Sequence, residues 1–174
     1  MTLLVQYTLI FASVLALVAL GGCFSEHSGV INIGLEGIMV MGALGGALAM
    51  KFIPASTPGI VLFILIVLTS ALVGMVFSLF LGVAAIHFNA DQTLVGTALN
   101  LMGTAAAVVI VRAINVAENP DNVSSTVVYR QAKQVFLVKI GDFEFNWFML
   151  LVVLAIIASH VVLYKTKFGL RLCA

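Results

Sequence analysis

The chain has 174 residues, of which 63% are hydrophobic and 9% charged, and its mean hydropathy is +1.23. These values exclude a soluble globular domain and indicate an integral membrane protein. The net charge of +1 gives no indication of a nucleic-acid partner, and two cysteines at opposite ends of the chain have no metal-site spacing. We therefore predict neither nucleic-acid binding nor a metal site.

Five apolar runs follow one another along the chain, and each is long enough to cross the hydrocarbon core as a helix. The predicted spans cover residues 3–24, 30–52, 59–86, 93–111 and 147–164. The fold class predicted is an all-α polytopic helical bundle with about five transmembrane helices. The third run is about 42 Å long at ~1.5 Å per residue, against about 30 Å of hydrocarbon, so it must tilt, break or project.

The second run contains an ionisable group in the stretch "SGVINIGLEGIMVMGA" (residues 28–43). Asn32 and Glu36 are four residues apart and so share one face if the stretch is helical. Neighbouring glycines loosen the backbone, which predicts a broken or re-entrant start to this helix. A carboxylate charged in lipid costs at least about 2.5 kcal/mol, so Glu36 is either a functional group or a structural group that ties helices together. We expect Asn100 and Asn32 as its hydrogen-bonding partners.

Two further patterns predict helix contacts. In the fourth run, polar or small residues recur every four positions, and we expect this stripe to face the protein and to line or border a translocation route. Its members are Gln92, Gly96, Asn100 and Thr104. In the second and third runs, small residues at the same spacing predict close helix packing. These packing residues are Gly42, Gly46, Ser70, Gly74, Ser78 and Gly82.

Basic residues beside the last span set the predicted orientation. Lys165, Lys167 and Arg171 form the strongest local cluster of positive charge, which predicts a cytoplasmic C-terminal end. Five spans then place residues 114–146 outside the cell, although four basic residues near this segment oppose that orientation. These are Arg112, Arg130, Lys133 and Lys139.

The most specific motifs resemble those of one transporter family. "LALVALGGCFSE" (15–26) followed by "SGVINIGLEGIMVMGALGG" (28–46) closely resembles the signature of permease subunits of bacterial ATP-binding-cassette importers for nucleosides and related simple sugars. "NADQTLVGTALNLMG" (89–103) and "YKTKFGLRLCA" (164–174) are similar to two further segments of these permeases. The wider superfamily includes branched-chain amino-acid and ribose permeases.

The resemblance implies a function and a set of partners. The chain would be a permease subunit in the bacterial plasma (inner) membrane, surrounded by lipid and paired with a second permease subunit. A cytoplasmic ATPase would bind ATP, and an extracytoplasmic substrate-binding protein would deliver the solute, with the 134–147 segment helping it to dock as an interfacial segment or a short hairpin. No phosphate-binding "GxxxxGK" loop occurs, so we expect no cofactor and no catalytic residue on this chain.

The resemblance also implies a partial transmembrane permease domain over residues 1–174, because family members continue into a coupling segment and a second set of helices. We expect an N-terminal portion, from an expressed fragment, a truncated gene or an incomplete sequence, that does not transport alone. Two alternatives remain open at this point. One is an ion- or proton-coupled secondary transporter that uses Glu36. The other is an intramembrane enzyme, for which the spans offer no second acid near Glu36.

Overall fold

The computed structural model describes residues 2–54, 56–127, 137–140 and 143–172. Five of the helices in these ranges are long and apolar enough to cross a membrane, which confirms the predicted polytopic helical bundle. The helices described are α1 (Thr2–His27), α2 (Leu35–Phe52), α3 (Gly59–Ile86), α4 (Gln92–Glu118), α5 (Trp147–Lys165) and the short α6 (Lys167–Leu172).

The second helix has the interrupted start that its sequence predicts. Residues 28–34 are not helical, and α2 begins at Leu35 rather than at residue 30. Gly29 has a φ of +79°, a left-handed conformation that glycine adopts without the strain of a side chain. The backbone therefore turns after α1 and continues as an irregular segment before α2 starts.

Helix α4 is longer than the apolar run that predicts it. The run stops at Val111 because Arg112 is charged, but the helix continues to Glu118. A charge limits how deep a helix can lie in lipid without ending its backbone hydrogen bonding. At the other end, the Asp91 carboxylate accepts hydrogen bonds from the backbone N–H groups of Thr93 and Leu94, which caps the first turn.

The chain divides into two compact units. One comprises residues 1–31 and 136–174, in which α1 packs against α5, and α6 packs back on α5. The other comprises residues 32–135, in which α2 packs against both α3 and α4. The residues of the predicted site all belong to this second unit.

An antiparallel hairpin precedes α5. Strand β1 (Leu137–Ile140) pairs with β2 (Phe143–Asn146), with Leu137 opposite Asn146 and Ile140 opposite Phe143. Of the two structures predicted for residues 134–147, this is the hairpin. The Asn146 side chain then accepts a hydrogen bond from the Phe148 N–H and caps α5. The rest of the predicted external segment between residues 127 and 137, with Arg130 and Lys133, lies outside the described residues.

Candidate functional site

Helices α2 and α4 approach each other through glycines. A Cβ atom added to Gly103 would lie 2.8 Å from the Cα of Gly37, and one added to Gly96 would lie 2.9 Å from the N of Gly34. A Cβ on Gly37 would overlap the carbonyl oxygen of Leu99. Contacts this short leave no room for any side chain, so the two backbones meet directly at the start of α2.

Asn100 binds the α2 backbone at this crossing. Its Oδ1 accepts a hydrogen bond from the Gly37 N–H at 2.8 Å, and its Nδ2 donates to the Ile33 carbonyl at 2.9 Å. One carboxamide thus satisfies a donor and an acceptor that the interrupted start of α2 leaves unpaired. Asn100 therefore ties α4 to α2 through the backbone at the start of α2, and not through the Glu36 carboxylate as expected.

Glu36 does not make the hydrogen bonds expected of it. Its side chain is exposed in this chain and forms no hydrogen bond or ion pair with a described residue. The expected hydrogen bond between Glu36 and Asn100 is wrong, because Asn100 bonds to the backbone of Ile33 and Gly37 and the exposed Glu36 side chain points away from them. The structure nevertheless brings Asn100 to the residue next to Glu36 in the chain.

Asn32 is also placed differently from its prediction. The expected shared face with Glu36 required a helix through both residues, and Asn32 lies before α2 begins, so that expectation is wrong. Its Oδ1 atom is buried and has no hydrogen-bond donor among the described residues. A buried amide oxygen without a partner costs about 1–3 kcal/mol, which makes Asn32 an unusual feature of this site.

The first three residues of the polar stripe on α4 are at least partly buried, and the fourth is not. Gly96 is buried, and Gln92 and Asn100 are half-buried, but Thr104 is exposed and its hydroxyl donates to the carbonyls of Asn100 and Leu101. One residue turns a helix by about 100°, so Thr104 points about 100° away from the buried Gly103 that precedes it. The buried positions form a row displaced by one residue from the stripe, with one step of three followed by four steps of four, namely Gly96, Leu99, Gly103, Ala107, Val111 and Asn115.

Only part of the small-residue stripe on α3 lies in a contact with another helix. A Cβ on Gly42 would lie 3.3 Å from the Ser70 carbonyl oxygen, and one on Gly46 would lie 3.5 Å from the Ser70 Cβ. Gly74 faces Gly42 at 3.9 Å. A Cβ on Gly82, in contrast, would meet no atom within 4 Å, and the Ser78 hydroxyl donates to the Met75 carbonyl of its own helix. The α2–α3 contact therefore uses the Ser70 half of the stripe.

A polar cluster at the other end of α2 was not predicted. The Lys51 Nζ lies 2.9 Å from the Glu118 Oε2 and 3.4 Å from the Asn115 Oδ1. The Lys51 side chain is 9% exposed and that of Glu118 59%. The sequence did contain a signal of this cluster. Lys51 lies at the end of the second apolar run, and Asn115 and Glu118, three residues apart, share a helix face just after the fourth apolar run.

Asn115 connects this cluster to the segment that follows α4. It is 2% exposed, and its Nδ2 donates to the carbonyls of Ser124 and Thr126 at 2.9 and 3.0 Å. Residues 125–127 also line an open, largely apolar pocket of about 470 Å³ together with residues of α2 and α4, among them Leu44 and Ala107. Among the described residues, no group of three His, Cys, Asp or Glu side chains is arranged to hold a metal ion.

Three proteins named as ABC transporter permeases are similar to this chain. The guanosine ABC transporter permease protein NupQ of Bacillus subtilis is 36% identical to this chain, over 99% of this chain and 55% of NupQ. The nucleoside ABC transporter permease protein NupC of Lactococcus lactis is 34% identical over 98% of this chain and 54% of its own length. The putative glucose ABC transporter permease protein TsgC13 of Haloferax volcanii is 51% identical over a shorter stretch, 25% of this chain and 13% of its own length.

The chain spans about half the length of the first two relatives. No solved structure gives a significant match to it. The family model described as the permease component of branched-chain amino acid transport systems matches residues 4–174, nearly the whole chain. With five apolar helices of spanning length, the chain is a multi-pass membrane protein and belongs to this family of ABC transporter permeases.

Proposed function

We propose that the chain is a membrane-spanning part of an ATP-binding-cassette importer that takes up nucleosides or related sugar-containing solutes. The observation that carries this proposal is the similarity, over almost the whole chain, to permeases named for guanosine and nucleoside transport. The chain itself performs no chemistry in this role. A partner ATPase binds and hydrolyses ATP, a second permease subunit completes the route, and a substrate-binding protein delivers the solute.

The α2–α4 crossing is the part of the chain that we propose borders the route. It combines an unpartnered amide oxygen on Asn32, the exposed carboxylate of Glu36 and the Asn100 carboxamide. Gln92 and Thr104 lie on the same helix as Asn100, and we propose that they extend this polar border. Hydroxyl-rich solutes need such hydrogen-bonding groups when they leave water. The orientation proposed has a cytoplasmic C-terminal end in the bacterial plasma (inner) membrane.

Uptake measurements test this proposal. A strain that lacks the gene for this chain should lose ATP-dependent uptake of labelled guanosine, and the restored gene with its neighbouring ATPase and binding-protein genes should recover it. Unlabelled nucleosides and simple sugars, added in turn as competitors, should identify the solute class. Unchanged uptake of every nucleoside and sugar in the deletion strain would contradict the proposal.

Glu36 distinguishes this function from an ion-coupled carrier. Because ATP hydrolysis drives an ABC importer, Glu36→Gln should retain most uptake, and a protonophore should reduce uptake only as far as it lowers cellular ATP. A carrier that uses the carboxylate for proton coupling would lose uptake with Glu36→Gln. We expect Glu36→Leu to lose uptake in either case, since an apolar side chain removes the polar border as well as the charge.

A further inference from the structure

The Asn100 carboxamide occupies the place of a main-chain hydrogen bond. In an uninterrupted helix the Gly37 N–H would donate to the Ile33 carbonyl, four residues earlier. Here the Gly37 N–H donates to Asn100 Oδ1, and Asn100 Nδ2 donates to that same Ile33 carbonyl. The next bond along α2, from the Ile38 N–H to the Gly34 carbonyl at 3.1 Å, is an ordinary helical one. A side chain of α4 is therefore inserted into the first turn of α2.

The backbone beneath this insertion is close to a helical conformation. Gly34, which precedes the first residue of α2, has φ of −75° and ψ of 11°. Its φ suits a helix, and its ψ differs from the helical value by about 50°. A change of about 50° in the ψ of Gly34 would therefore give this residue a helical conformation once the Asn100 side chain withdrew.

The unpartnered oxygen of Asn32 has a use in that extended helix. If α2 began at Ile33, Asn32 would be the residue just before it, where asparagine is among the most favoured caps. Its side-chain oxygen would then accept from a backbone N–H of the first turn. Asn32 Oδ1 already lies near this turn, 3.4 Å from the position of a Cβ on Gly34, and it is buried without a donor.

We propose that the start of α2 is a two-state element in which two asparagines act alternately. Asn100, inserted from α4, holds the turn open in the structure described, and Asn32 caps a longer α2 when Asn100 withdraws. Asn100 is then a positioning residue that controls whether residues 32–34 are irregular or helical. Its importance for transport rests on the proposed function, but the two states themselves are a property of the chain and can be tested without transport.

Residue-resolved amide hydrogen exchange at Gly37, in the purified permease in lipid nanodiscs, tests this proposal. Asn100→Leu fills the space of the carboxamide without its hydrogen bonds, so Gly37 exchange should become about tenfold faster. Asn100→Ala vacates that space and lets the direct bond to Ile33 form, so the rate should stay within about threefold of the unchanged protein. Adding Asn32→Ala to Asn100→Ala removes the replacement cap and should again raise the rate about tenfold.

Thr97→Val is the matched control, because Thr97 lies one turn earlier on α4 and its exposed hydroxyl bonds only to its own helix at Thr93. Amide hydrogen exchange at Gly37 should be as fast in Thr97→Val as in the unchanged protein. Equal acceleration by Asn100→Leu and Asn100→Ala would overturn the proposal, as would a lack of effect from adding Asn32→Ala. Should Asn100→Leu fail to insert, the comparison of Asn100→Ala with the double variant decides alone. Uptake by the same variants reports separately on the proposed function.

Discussion

Asn115 shows how one buried side chain can fix a connecting segment. Its amide donates to two carbonyls of residues 124–126, and its oxygen faces the Lys51 ammonium. The residue is 2% exposed, so these partners replace water almost completely. Removing a buried partner costs more than a typical hydrogen bond contributes, because the groups left behind stay desolvated.

Asn115→Ala should therefore lower stability and release the segment after α4. We expect a loss of about 1–3 kcal/mol, visible as a lower melting temperature in detergent and faster protease cleavage near Ser124. Asn119→Ala is the control, because Asn119 is exposed and its side chain accepts only from the nearby Asp121 N–H. Equal melting temperatures for the two variants would show that Asn115 does not hold this segment.

The stability that the Lys51–Glu118 pair contributes should depend on the two charges being opposite. Lys51→Glu would place a nearly buried carboxylate beside Glu118 and the Asn115 oxygen, and we expect a loss of about 3 kcal/mol. Exchanging both charges, in Lys51→Glu with Glu118→Lys, should recover part of that loss. Melting temperatures of both single variants and the double variant measure this coupling. An exchanged pair no more stable than Lys51→Glu alone would refute the coupling.

At the scale of helices, glycines determine how α2 and α4 cross. The Gly37 and Gly103 backbones touch, while Gly82 on α3 faces open space. Glycine is therefore required by the packing at Gly37 and Gly103 but not at Gly82. In lipid, helix association depends on such close packing, since lipid tails are as apolar as the helices themselves.

Gly103→Ala should separate α2 from α4 and weaken the Asn100 hydrogen bonds. We expect a stability loss of about 1–3 kcal/mol from the forced backbone shift. Gly82→Ala should be neutral or stabilise α3 by up to about 1 kcal/mol, because alanine favours helix and has room there. Melting temperatures of the two proteins in one detergent decide the matter. A Gly103→Ala protein as stable as Gly82→Ala would contradict the close crossing.

The sequence predicts those features that depend on neighbours in the chain. The five spans follow from apolar length, and the interrupted start of α2 follows from its glycines. The partners of Asn100 could not be predicted, because they depend on how α2 and α4 align, which spacing within one helix does not determine. Thr104 lies outside the α2–α4 contact because the polar stripe is displaced by one residue, about 100° of helix rotation, from the buried row that contains Leu99, Gly103 and Ala107.

At the scale of the whole molecule, apolar side chains are exposed along α1, α3 and α5, including Phe11, Leu72 and Ile157. In water such surfaces would associate, whereas lipid solvates them. Helix α3 has 28 residues and no charge, so it exceeds the thickness of the hydrocarbon core by about 12 Å if upright. The membrane must therefore accommodate an unusually long apolar helix.

The length of α3 predicts a dependence on lipid chain length. Longer acyl chains reduce the mismatch and shorter ones increase it, so the tilt of α3 should rise as the bilayer thins. Oriented solid-state NMR of the protein with labels in α3 should show a larger tilt in bilayers with 14-carbon chains than in those with 18-carbon chains. The same tilt in both would indicate that packing against α2 and α4 fixes this helix.

The contacts between α2 and α4 have a mechanical consequence for the pair. The two helices are fastened at one end by the Gly37–Gly103 backbone contact and at the other by the Lys51–Glu118 ion pair. Because the contacts lie at both ends, α2 and α4 cannot slide past each other by one helical turn, about 5.4 Å, without breaking both contacts at once. If the proposed function holds, α2 and α4 should therefore move as one body, and spin labels near their Lys51 and Glu118 ends should keep one separation with and without ATP.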